Sequence, residues 1–137
     1  MAHLLIIELP GGNDTDIIQA AIDRGDEFTF LSAQLDYYRS QPKINAIIAL
    51  AFEQIEIPTF DYIEVERRIL ESHERHPFDA VLCLIDIRLT EAARLSEKLG
   101  LEYLNVASAK LMRDKYSVRC MLKEKGIIRL VIVDSKN

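Results

Sequence analysis

The chain has 137 residues, 49% of them hydrophobic and 28% charged, a composition that suits one globular domain large enough to bury a core. A net charge of -5 and a pI near 5.2 argue against a general nucleic-acid binder or a protein drawn to acidic membranes, while leaving room for local basic sites. Cys83 and Cys120 show neither metal-type nor CxxC spacing, and no stretch approaches bilayer length, so the expectation is a soluble, cytoplasmic domain with reduced, packed cysteines. The apolar run Leu4-Leu-Ile-Ile7 is too short for a signal-peptide core, and no basic segment precedes it.

Leu4 to Leu9 predicts a buried parallel strand, closed by the turn Pro10-Gly11-Gly12. Asn13 or Asp14 can cap a helix whose apolar positions Ile17, Ile18, Ala21 and Ile22 recur with helical spacing, and Gly25 ends it. Glu27 to Leu31 predicts a second strand. The polar and aromatic stretch from Ser32 to Gln41 supports no assignment. After Pro42, Ile44, Ile47, Ile48, Ala51 and Phe52 form a second amphipathic stripe, and Gln54 to Pro58 predicts a third strand. Asp61 and Glu64 open a capping-box-like helix with Tyr62, Val65 and Ile69 inward, stopping before Pro77.

Phe78 to Ile85 is the strongest strand pattern, its continuous apolar character implying burial on both faces and a central place in a parallel sheet. Asp86-Ile-Arg88 follows, then a helix carrying Ala92, Ala93, Leu95 and Leu99 and closed by Gly100. Leu101 to Leu104 predicts a fifth short strand. From Ser108 a helical turn leads to a break at Arg113-Asp114, then to a helix closed by Gly126, and Ile127 to Val133 predicts a sixth strand before a polar tail. Strands alternating with helices give an α/β three-layer sandwich with a mainly parallel sheet. No repeat, low-complexity tract or linker interrupts it.

Ligands of such sheets gather at the C-terminal ends of strands. Here those ends carry Gly11-Gly12-Asn13, Ser32, Asp86 with Arg88, and Asn105. The glycine loop lacks the spaced glycines of a dinucleotide fingerprint and the lysine of a P-loop, and Asp14 and Asp16 would repel a phosphate. It reads either as a tight turn or as a ligand-facing loop. Asp86 either caps the following helix or, with Arg88, meets a substrate. Asp114 suits an N-cap, which places Lys115 at the first helical position, where a cation opposes the helix dipole unless an anion such as a phosphate lies beside it. His73 and His76 have helical spacing but lie in a last helical turn without matching ligands, so no metal site is expected, and His3 near the terminus carries no inference. No Ser-His-Asp or Cys-His arrangement can be built, so no catalytic residue is assigned. The charged residues Glu64, Glu66, Arg67, Arg68, Glu71 and Glu74 read as a solvated helix face. The segment from Val81 to Leu89 is superficially similar to the phosphoacceptor strand of response-regulator receivers, but too little chain follows Asp86 for the remaining receiver strand ends.

Three segments in order carry a wider resemblance: Pro77-Phe-Asp-Ala-Val-Leu, then Glu91-Ala-Ala-Arg-Leu with Lys98-Leu-Gly-Leu101, then Arg113-Asp-Lys-Tyr-Ser-Val-Arg with Leu122 and Lys125-Gly-Ile127. Together they resemble the N-terminal, Rossmann-like domain that precedes the ATP-grasp fold in carboxylate-amine ligases and carboxylases. The resemblance implies a pre-ATP-grasp domain over residues 1–127, with an extra strand and tail over 128–137 and the ATP-grasp subdomains absent from this stretch. It implies ATP and magnesium as cofactors of the full enzyme, neither bound tightly by this chain alone. Lys115 would contact nucleotide phosphates, and Gly11, Gly12, Asn13, Asp86 and Arg88 would border the substrate cleft. The family usually has glutamate where this chain has Asp86, and it usually continues past the Gly-Ile pair with prolines and two further subdomains.

The leading expectation is therefore the front domain of an ATP-dependent ligase or carboxylase, silent by itself, whose partners are the missing subdomains or a chain carrying them. A non-catalytic interaction module is the alternative, since the apolar strand from Ile127 to Val133 invites pairing and a homodimer. A small-molecule binding domain of flavodoxin-like or dinucleotide type is the third reading.

Overall fold

The computed structural model describes residues 1–101. The expected strands at 101–104 and 127–133, the helix closed by Gly126, Cys120, Asn105, Lys115 and the boundary at 127 lie outside the described residues.

Four strands form one parallel sheet in the order β3-β2-β1-β4: β1 (His3–Ile7), β2 (Glu27–Ser32), β3 (Glu53–Glu56) and β4 (Ala80–Cys83). Among the described residues five α-helices connect or follow them: α1 (Asp16–Arg24), α2 (Leu35–Arg39), α3 (Pro42–Ile48), α4 (Tyr62–Arg75) and α5 (Leu89–Leu99). The unbroken apolar runs follow from burial on both faces. Alternate strand residues Leu4, Ile6, Phe28, Phe30, Ala80 and Leu82 pack with α1, α2 and α3. The intervening Leu5, Ile7, Leu31, Ile55, Val81 and Cys83 pack with α4 and α5. Each fully buried Leu, Ile or Phe in these layers stabilises the fold by about 1.5–3 kcal/mol. This is the expected three-layer α/β sandwich.

Several boundaries differ from the sequence pattern for local reasons. β1 stops at Ile7 instead of running to Leu9, because Glu8 turns the chain with a positive φ of 59°. The stretch left open from Ser32 to Gln41 contains α2, whose Leu35 and Tyr38 are buried and whose Leu35 N–H donates to Glu56 Oε2 at 2.8 Å. That acceptor comes from the end of β3, which no local pattern reveals. Asp14 Oδ1 accepts the Asp16 N–H at 3.0 Å, so Asp14 supports the start of α1, which begins at Asp16. Asp61 caps α4 through the Ile63 N–H, but Glu64 pairs with Arg67 at 3.0 Å in place of closing a capping box. β4 is buried on both faces as expected, and β1 is its neighbour among the described strands.

His3 is the main correction at the N-terminal edge of the sheet. It is buried and stacks between His76, with ring centroids 4.2 Å apart, and Phe78 at 4.5 Å. Its Nδ1 lies 3.2 Å from the carbonyl oxygens of His76 and Pro77, and its Nε2 lies 2.8 Å from Thr29 Oγ1. His73 Nδ1 accepts the Phe78 N–H at 3.0 Å, and His76 Nε2 pairs with Glu27 Oε1 at 2.7 Å. The three imidazoles thus tie the starts of β1, β2 and β4 together.

Burial pushes the His3 pKa below its ordinary value, and the adjacent His76 adds to this, while the two carbonyls oppose it. A depressed histidine pKa means that the unfolded chain takes up the proton more readily. Stability is then full above the unfolded pKa and falls as pH drops below about 6.5 toward the folded value. Urea midpoints measured between about pH 8 and about pH 5 should decline, and part of that decline should vanish in His3→Phe. An unchanged slope in the variant would assign the pH dependence elsewhere.

Candidate functional site

The chain leaves β1 toward β2 on one side, yet β4 pairs on the other side of β1. The helices that follow β1 and β4 pack on opposite faces of the sheet, α1 on one and α5 on the other, so the chain diverges beyond the C-terminal ends of these two strands, and open parallel sheets bind ligands at such a switch point. The glycine loop leaves the end of β1 and the Asp86–Arg88 turn leaves the end of β4. A small, mostly apolar crevice beside the end of β1 is walled by Leu9 and Pro10, by Ile17 and Ile18 of α1 and by Leu82 and Leu84, with Glu8 and Asp14 contributing the charge.

Glu8 organises this edge. Its side chain is buried, and its carboxylate accepts from Ser32 Oγ at 2.9 Å, Ala33 N–H at 3.0 Å and Tyr38 Oη at 2.9 Å. Its own N–H donates to the Leu31 carbonyl at 3.0 Å. Tyr38 Oη also accepts the Leu9 N–H at 3.0 Å, so one hydroxyl joins α2 to the first residue of the glycine loop. Burial raises the Tyr38 pKa well above the ordinary tyrosine value, and the Glu8 carboxylate adds to the shift. Tyr38 therefore stays a donor at any physiological pH.

The loop itself needs its glycines. Gly11 and Gly12 have φ of 64° and 75°, and a Cβ on Gly12 would lie 2.7 Å from Tyr37 Oη. Gln41 Nε2 donates to the Gly12 carbonyl at 3.3 Å. A 3-10 turn over Pro10–Gly12 results, held from one side by α2 and the residue before α3.

On the β4 side, Asp86 opens a 3-10 turn over Asp86–Arg88, and Arg88 occupies the position just before α5. The N-cap position of α5 is Arg88, whose side chain makes no capping hydrogen bond. The Arg88 guanidinium lies over the Phe60 ring, 4.2 Å from its centroid. Behind the turn, burial pushes the Cys83 thiol up to about 12, which makes it an inert packing group.

Of the residues singled out in the sequence, Gly11, Gly12 and Asn13 thus flank the switch point on one side and Asp86 and Arg88 on the other. Lys115 lies outside the described residues. Sequence reasoning missed Glu8, Tyr38 and Phe60. A lone carboxylate ending an otherwise apolar strand run was the available signal for Glu8, whereas nothing local marks Phe60 as an arginine platform.

Among the described residues, no group of three or more His, Cys, Asp and Glu side chains could hold a metal ion. Glu8 is committed to three donors and Asp14 to the Asp16 amide, so these carboxylates do not fit a magnesium cage. No helix among the described residues is long and apolar enough to cross a membrane.

These features define a Rossmann-like three-layer α/β sandwich whose candidate site is the C-terminal edge at β1 and β4. No protein-family model matches the chain, and no curated protein matches it in sequence. Among solved structures it is similar to the L-amino acid ligase from Bacillus licheniformis, with a TM-score of 0.63 at 21% sequence identity. The match covers 92% of this chain and 30% of the ligase chain, and likeness at this identity shows the fold.

Proposed function

We propose that the chain is the front domain of an ATP-grasp carboxylate-amine ligase, with the β1/β4 switch point bordering the substrate cleft. The observation that carries this is the placement of the glycine loop and the Asp86–Arg88 turn directly after the neighbouring parallel strands β1 and β4, in a fold shared with an L-amino acid ligase. In this reading Gly11, Gly12 and Asn13 bring backbone close to the ligand, and Asp86 and Arg88 contribute charge from the opposite side. Lys115 contacts nucleotide phosphates, and residues 1–127 make up the domain. ATP supplies the phosphoryl group that activates a carboxylate, and magnesium is held by chain other than residues 1–101. The partners are ATP-grasp subdomains, and the 137 residues by themselves bind nucleotide weakly and do not hydrolyse it.

Magnesium-ATP titrated into the labelled chain tests this by nuclear magnetic resonance, with amide signals locating the nucleotide and phosphorus signals reporting hydrolysis. Tight binding with ADP formation by this chain alone would overturn the reading.

A further inference from the structure

We propose that Arg88, held flat on Phe60, is a carboxylate receptor that spans the C-terminal edge of the sheet. This rests on the ligase reading only for the identity of the ligand's owner, since the receptor geometry stands apart from it. β3 and β4 are at opposite ends of the described strand order, yet Arg88 follows β4 and Phe60 follows β3. Their contact carries the guanidinium across the edge from which ligands approach.

Three observations together single out this arginine. First, Arg24, Arg67, Arg68 and Arg75 each pair with a carboxylate, Arg39 donates to Gln54, and Arg94, which also stacks on a ring, does not have an enclosed Nε. Arg88 has no ion pair or side-chain hydrogen bond among the described residues, and its Nε is shielded from solvent without an acceptor. With Nε enclosed, the Nη edge is the part of the guanidinium left to meet a ligand, and no partner among the described residues occupies it. Second, the aromatic face fixes the guanidinium plane without consuming its Nη donors, which leaves a preformed fork for two oxygens of one ligand. Third, the platform is rigid. Phe60 is buried in the core beneath α4, in a turn where Thr59 and Phe60 both take positive φ, 60° and 52°.

Carboxylate is favoured over phosphate. Asp86 and Glu91 lie in the same turn and the first turn of α5, and their negative field penalises a dianion more than a monoanion. A planar carboxylate also matches the guanidinium fork with two parallel hydrogen bonds. Phe60 is then a positioning residue, acting through Arg88.

The test follows the arginine Nε–Hε resonances of the full chain while sodium acetate is added, with sodium phosphate and sodium chloride as parallel arms at matched ionic strength. Acetate should move the Arg88 signal along a saturable curve in the millimolar range. Arg94, which stacks on Tyr62 at 4.1 Å, is the internal control and should not respond. Arg88→Gln should abolish the saturable response, Phe60→Tyr should keep it, and Phe60→Leu should weaken it by about threefold to tenfold. Should Phe60→Leu fail to fold, Arg88→Lys keeps the charge without the fork and should lose most of the affinity. A response no different from chloride, tighter binding of phosphate than acetate, or equal movement of Arg88 and Arg94 would each overturn the proposal. Saturable acetate binding together with failure of the nucleotide titration would leave the receptor standing and remove the ligase reading alone.

Discussion

Replacing Glu8 with alanine is expected to lower the unfolding free energy by about 3–5 kcal/mol. The carboxylate accepts three hydrogen bonds inside the protein, from Ser32 Oγ, the Ala33 N–H and Tyr38 Oη. Truncation strands these donors, and each buried group left without a partner costs about 1–3 kcal/mol. Partial compensation holds the total below the simple sum, because the Ser32 hydroxyl can rotate and Tyr38 Oη keeps the Leu9 N–H. Relief of the positive φ does not rescue the variant, since alanine is strained there as well. Glu8→Gln should fall between, because its amide oxygen can replace one carboxylate oxygen while its NH₂ group faces a donor. Tyr38→Phe should be non-additive with Glu8→Ala, as expected for residues sharing one network. Urea unfolding followed by circular dichroism reads all three. A loss below about 1 kcal/mol in Glu8→Ala would mean that the network is not closed in solution.

Gly12→Ala is expected to cost about 2 kcal/mol, and the loss should divide between two causes. The larger is backbone strain, since φ of 75° costs a residue with a Cβ about 1–2 kcal/mol. The smaller is overlap with Tyr37 Oη at 2.7 Å, which half-exposed Tyr37 can relieve by moving. Tyr37→Phe in the same background should therefore recover only part of the loss. Gly11→Ala isolates the strain, because its Cβ would meet nothing closer than Asn13 Oδ1 at 3.4 Å. Equal losses at the two glycines would show that α2 does not press on the loop.

These two variants bear on how the ligand edge was read from sequence. The parallel sandwich was legible because strands buried on both faces, such as Leu4–Ile7 and Ala80–Cys83, have unbroken apolar runs that surface strands do not. The loop residues Gly11 to Asn13 and the pair Asp86 and Arg88 were legible by position, since each follows a recognisable strand. What joins them was not. α2 is five residues long and owes its place to Glu56, Glu8 and the core, all far away in sequence. The Arg88–Phe60 contact likewise depends on bringing the ends of β3 and β4 to the same edge. His3 was unreadable for the same reason, because its stacking partners lie more than seventy residues on, at His76 and Phe78. Local patterns report faces and turns, whereas polar networks are closed by tertiary contacts.

The amide map from the magnesium-ATP titration tests the central claim most directly, because it asks which edge of the sheet meets nucleotide. The expected result is weak binding without ADP formation, with the largest shifts at the amides around Lys115, smaller ones at the C-terminal strand ends, and none around His3 and His76. Shifts confined to the His3 and His76 edge, or ADP formed by the chain alone, would contradict the account.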